Sequence, residues 1–160
     1  MTQSAGGANR SMEGCVMLAL STFRKNEKAI DSAITKSRDV KKLCVIYVVD
    51  VNLARYFVGA ESEILPHLKD ICEADLLKQH EKLGHEQVAA IRKKAEKEEI
   101  EVKTHVQLGR FAVVCLELAQ KEKPFMIVTT RSQRPAWVKK FFGAPVDELI
   151  AKAGCPVVVV

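Results

Sequence analysis

Residues 125–160 read FMIVTTRSQRPAWVKKFFGAPVDELIAKAGCPVVVV, and this stretch decides the fold. Phe125, Met126, Ile127 and Val128 make a compact apolar run. A basic loop over 132–142 follows. Gly143, Ala144 and Pro145 then open a short helical segment, and a second apolar run occupies 155–160. That is strand, loop, helix, strand. Ligands of open parallel sheets bind just past the carboxyl ends of strands, often at a helix start, so this loop is the first candidate for a site.

The same alternation runs through the rest of the chain. Apolar runs at 15–20, 43–49 and 100–107 predict three more strands. Ala29, Ile30, Ala33 and Ile34 sit at helical spacing and predict a helix over 26–38. A long helix is predicted over 66–98, where Leu68, Cys72, Leu76, Leu83, Val88, Ile91 and Ala95 keep a period of about 3.6. Pro66 suits its first turn, and Gly84 is the natural place for a bend. A third helix, 110–121, turns Phe111, Val114, Cys115 and Leu118 inward. Gly109 before it belongs to a tight strand-to-helix turn.

Strands alternating with helices make a parallel sheet with right-handed crossovers and helices on both faces. The first, second and fourth runs are apolar throughout, as strands covered on both faces are. The third alternates Val102, Thr104 and Val106 with Glu101, Lys103, His105 and Gln107, which suits an edge. The fifth is apolar and also last. An uncovered edge of valines invites pairing with another chain. The expectation is therefore a homodimer joined along Val157, Val158, Val159 and Val160, and Val158→Pro is expected to remove a ladder donor there.

A chain of 160 residues predicts one domain, over 14–160, preceded by a flexible tail over 1–13. Apolar content of 48% and charged content of 28% are those of an ordinary globular protein. No run approaches the roughly 20 apolar residues of a membrane helix, and the first residues lack a signal peptide's apolar stretch, so the expected location is cytoplasmic. The five cysteines include no CxxC pair and read as small buried hydrophobes. Arg92, Lys93 and Lys94 are followed at once by Glu96, Glu98 and Glu99, a solvated helix face rather than a nucleic-acid stripe.

On these residues the chain resembles the universal stress protein family from about 15 to 160. The resemblance rests on Val16–Met17–Leu18–Ala19–Leu20 with the early Lys28–Ala29–Ile30, on Tyr47–Val48–Val49–Asp50, and most specifically on Gly143 with the tail Cys155–Pro156–Val157–Val158–Val159. It implies a five-stranded parallel sheet in the order 3-2-1-4-5 and dimerisation through the final strand. It also implies an ATP site, since many members carry Gly-x-x-Gly, about nine residues and then Gly-Ser/Thr between strand four and helix four. Here the first glycine falls on Thr129, the second on Ser132 and the closing pair on Gly143 and Ala144. A usual hydroxyl position falls on Val146, and the acidic residue that often follows strand one falls on Ser21. Val48 matches the position whose backbone meets adenine.

Glycines in such a loop let backbone N–H groups wrap a phosphate and allow positive φ, which a β-branched Thr129 resists. Ala144 and Val146 have no hydroxyl, and Pro145 has no N–H. Each missing bond to a charged group forgoes roughly 1.5–3 kcal/mol, so two or three cost about a hundredfold or more in affinity. Asp147 and Glu148 complement the start of the last helix in place of an anion. Arg131, Arg134, Lys139 and Lys140 either hold an anion by charge or keep the loop solvated, the commoner role of a charge run. Trp137, Phe141 and Phe142 either pack onto the last helix or meet a partner.

The histidines of His80–Glu81–Lys82–Leu83–Gly84–His85 are five apart, about 140° around a helix, and cannot share a metal on one face. Glu81 and His85 instead suit a surface pair. No metal is expected, and no nucleophile has a local base. The expected function is that of a non-catalytic, homodimeric stress-type interaction module in which ATP binding is weakened or lost and no cofactor is held. The alternative is an ATP- or AMP-binding protein with an altered phosphate loop, whose pocket residues are Ser21, Val48, Thr129, Arg131, Ser132, Gly143 and Ala144. Slow ATP turnover is its enzymatic extreme, with Asp50 the nearest acidic group.

Overall fold

Every residue of the first strand is buried, and that strand is the centre of the molecule. The computed structural model describes residues 14–22, 24–51, 66–131 and 145–160, with backbone only over 66–72. The elements are β1 (Val16–Ser21), α1 (Glu27–Ser37), β2 (Lys42–Asp50), α2 (Pro66–Glu96), β3 (Glu101–Gly109), α3 (Phe111–Glu122), β4 (Met126–Thr129), α4 (Pro145–Lys152) and β5 (Val157–Val159). They build one sheet in the order β3-β2-β1-β4-β5, with all pairs parallel. The β3 edge expected from strand composition and the order implied by the family resemblance are those observed.

Successive strand residues point to opposite faces, and the core divides accordingly. Val16, Leu18 and Leu20 pack with Ala29, Ala33 and Ile34 of α1 and with Val88, Ile91 and Ala95 of α2. Met17 and Ala19 pack on the other face with Phe111, Val114, Cys115 and Leu118 of α3 and with Val146 and Leu149 of α4. The four α3 residues predicted to turn inward are all buried. Val146 is a core residue, which explains an apolar side chain where a hydroxyl was the family expectation.

Leu68 and Cys72 lie outside the described side chains, and among the rest the long helix departs from its predicted pattern at Leu83. Leu83 is 53% exposed, and the buried line runs instead through His80, Gly84, Val88, Ile91 and Ala95. Gly84 does not interrupt the helix, which is assigned without a break over Pro66–Glu96. Its role is close approach: a Cβ added there would lie 2.6 Å from Cδ1 of Tyr47. Gly109 is also geometric, with φ +157 and a would-be Cβ 2.7 Å from Val114 Cγ2.

At the β5 edge, the Val160 amide donates to Thr129 O and the Ile127 amide donates to Pro156 O. Backbone groups alternate along a strand, so those of Val158 face β4 while those of Val157 and Val159 face the open edge. This corrects the use of Val158→Pro: its amide belongs to the intramolecular ladder. The open donors are on its two neighbours.

Candidate functional site

β1 and β4 are neighbours from which the sheet winds in opposite directions, β2 and β3 to one side and β5 to the other. Open α/β sheets take ligands at such a switch point, in the crevice outside the carboxyl ends of the strands. The polar residues at these strand ends are buried. Ser21, Thr22, Arg24 and Asn26 come from the end of β1 and the turn into α1, Asp50 from the end of β2, and Thr129 and Thr130 from the end of β4.

The expected site residues divide into three groups. Ser21, Val48 and Thr129 come together at the strand ends, and their polar groups are engaged within the sheet. Ser21 Oγ donates to Val48 O at 2.9 Å, and Thr129 Oγ1 donates to Ala19 O at 2.8 Å. Thr129 keeps its place in β4, paired with Val159, and is not among the positive-φ residues. Arg131 is held at the start of α4, its Nη2 donating to Asp147 Oδ1 at 2.8 Å in the helix's first turn. Both partners are about half exposed, so the pair is worth little to stability. Ser132, Gly143 and Ala144 lie outside the described residues, as do the basic residues Arg134, Lys139 and Lys140 and the aromatics Trp137, Phe141 and Phe142.

Four residues of the crevice, Thr22, Arg24, Asn26 and Thr130, escaped the sequence reading, and Arg24 is the most telling. Arg24 is only 9% exposed. Its guanidinium carbon lies 3.9 Å from the centroid of the Phe111 ring, and its Nη1 donates to Thr130 O. The available signal was its place in the turn after the first strand, where α/β folds hold anions. What concealed it was that nothing local marks an arginine in a turn as buried. Asn26 braces the same turn, with Nδ2 donating to Ser21 O at 3.5 Å and to Gln87 Oε1 at 3.3 Å. Thr130 Oγ1 donates to Val160 O at 3.0 Å, which ties the end of β4 to the end of β5.

Beneath the crevice lies Cys115. Burial pushes its thiol up to about 12, with the Arg24 charge opposing and the Asp50 charge adding to the rise. A thiol so far from ionising is not a nucleophile at neutral pH. The opposite end of the sheet holds a second hollow, about 150 Å³, lined in part by Cys15, Lys42, Cys44, Lys103 and Glu122. Burial likewise pushes the Cys44 thiol up to about 12. The expectation of cysteines as small hydrophobes holds fully for Cys44 and Cys115, Cys15 and Cys155 are half-buried, and Cys72 lies outside the described side chains. His85 sits on the exposed side of α2, 3.9 Å from Glu81, as its spacing predicted, whereas His80 is buried. Among the described residues no group of three or more His, Cys, Asp or Glu could hold a metal ion. Among these residues, too, no helix is long and apolar enough to cross a membrane.

The model of the Universal stress protein family matches residues 16–160, from the first residue of β1 to the end of the chain. The chain belongs to the universal stress protein family. Solved structures with the same architecture include universal stress protein UspA from Lactobacillus plantarum, 15% identical, covering 91% of this chain and 97% of that one with a TM-score of 0.68. A universal stress protein from Arabidopsis thaliana solved with AMP bound is 14% identical, covering 92% and 90% with a TM-score of 0.57. A universal stress protein in complex with cAMP is 12% identical, covering 92% and 97% with a TM-score of 0.53. At such identities the likeness is one of fold. No functionally curated protein matches. In this universal stress protein the Ser21, Thr129 and Thr130 hydroxyls at the strand ends are bonded to the chain's own carbonyls.

Proposed function

We propose that this universal stress protein is a non-catalytic, homodimeric interaction module in which nucleotide binding is weakened or lost. The carrying observation is that the Ser21 and Thr129 hydroxyls are already engaged within the chain. Ser21 and Thr129 give their protons to Val48 O and Ala19 O, so a ligand entering there must compete with bonds already made. A buried protein–protein bond broken without full replacement costs about 1–3 kcal/mol, which is five- to a hundredfold in affinity. Arg131, the described cation of the loop, has its charge paired with Asp147. Asp50, the nearest acidic group, is 3% exposed at the end of β2.

The dimer reading is supported by the edge. Val157 and Val159 leave backbone groups unpaired among the described residues, and Val159 and Val160 are 36% and 42% exposed. The outer side of α2, with Leu83 in solvent, is the surface offered to a protein partner.

A second reading, nucleotide binding through an altered loop, is favoured by the buried Arg24 guanidinium and by relatives whose structures hold AMP or cAMP. Calorimetry with ATP, ADP and AMP separates the two. No heat at millimolar nucleotide is expected, and micromolar binding would replace the first reading with the second.

A further inference from the structure

Arg24 and Thr130 stand on opposite sides of the switch point. Arg24 follows β1, Thr130 follows β4, and the two strands are neighbours. The Arg24 side chain crosses from one to the other, lying on the Phe111 ring and ending on the Thr130 carbonyl. Planar guanidinium over an aromatic face, with a carbonyl to receive it, is a paired and ordered arrangement rather than a solvated one. It occupies the crevice that the strand order makes available to a ligand.

We propose that Arg24 is a built-in occupant of that crevice, a latch that must swing out of its Phe111–Thr130 seat before a small molecule can enter. The inference rests on the reading that nucleotide binding is weakened, and it supplies a cause separate from the changed glycines. A ligand that binds only the open form has its apparent dissociation constant raised by the inverse of the open fraction. Emptying the seat therefore strengthens binding, and does so most for an uncharged ligand, because the cation departs with the side chain. An arginine serving as an anion anchor has the opposite signature: its removal weakens binding, and most for the charged ligand.

The experiment is calorimetry of adenosine and AMP on the full chain and on Arg24→Ala, Arg24→Met and Phe111→Leu. Adenosine is expected to bind Arg24→Ala at least tenfold more tightly than the parent, with a smaller gain for AMP. Arg24→Met refills the seat and should show little gain. Phe111→Leu leaves the arginine but removes its ring, and should raise adenosine affinity severalfold. This keeps the test open where Arg24→Ala fails to fold. No gain in either Arg24→Ala or Phe111→Leu, with a parent that binds nothing, overturns the latch and leaves weakened binding standing. Micromolar AMP binding by the parent, lost tenfold or more in Arg24→Ala, overturns both and makes Arg24 an anchor.

Discussion

Gly84 lies against the ring of Tyr47 so closely that a Cβ on the helix would come within 2.6 Å of Cδ1 and 2.9 Å of Cε1. Tyr47 is itself 4% exposed on β2, in the core that joins the sheet to α1 and α2. Helix and sheet meet here at the distance a missing side chain permits. Alanine at position 84 would gain about 1 kcal/mol in helix propensity. It would also force an overpacked contact costing about 1–3 kcal/mol. We expect Gly84→Ala to lower stability by about 1 kcal/mol in chemical denaturation, against the usual sign for an exposed helix. Stabilisation would show that α2 can shift away from Tyr47 without cost.

The Ser21–Val48 bond predicts the result of restoring the family's acidic residue. Ser21→Ala removes a buried donor and should cost about 1–2 kcal/mol. Ser21→Asp places an acceptor against a carbonyl at a site only 1% exposed and should cost about 3 kcal/mol at neutral pH. Burial raises the folded carboxyl above its ordinary value of about 3.9. Below that pH both states are protonated and the ionisation penalty is absent. As pH rises through it, only the unfolded chain loses its proton and the variant weakens. Denaturation at acid and neutral pH checks this; a deficit independent of pH would contradict it.

His80 predicts a pH dependence of the opposite sign. Desolvation lowers the folded imidazole below its ordinary 6.5, and His105 is lowered for the same first reason. Between the folded and unfolded values the unfolded chain binds more protons, so stability rises with pH. It is full above about 6.5 and falls as pH drops through 6.5 toward the folded values. Denaturation midpoints should decline from about pH 7.5 to about pH 5, and His80→Leu should flatten the decline. An unchanged slope in that variant would assign it to other groups.

The β5 edge separates two proline variants one residue apart. Val158→Pro breaks the ladder with β4 and should destabilise the folded chain by about 3 kcal/mol or more. Val159→Pro removes an outward donor and should dissociate the proposed dimer while the chain stays folded. Light scattering paired with circular dichroism distinguishes them. A Val159→Pro protein that remains dimeric would move the dimer interface away from this strand.

The covered strands and the β3 edge could be read along the chain because each strand's period reports its own exposure, whereas the full order came with the family resemblance. Apolar runs in β1, β2 and β4 marked covered strands, and the alternation of Val102, Thr104 and Val106 with charges marked the β3 edge. Helix faces were legible for the same reason in α3. They were less so in α2, where the buried line takes in His80 and Gly84 in place of Leu83, because a bare backbone can pack closer than a leucine.

Sequence by itself determined the family, the five parallel strands and part of the ring of residues at their carboxyl ends, Ser21, Asp50 and Thr129, since repeating patterns of apolar and polar residues are local properties. Tertiary structure alone decided where the polar side chains of that ring point. Ser21 reaches a carbonyl 27 positions away, Arg24 one 106 away and Thr129 one 110 away. Hydrogen bonds across such separations are settled by strand order and register, and no periodicity along the chain encodes them.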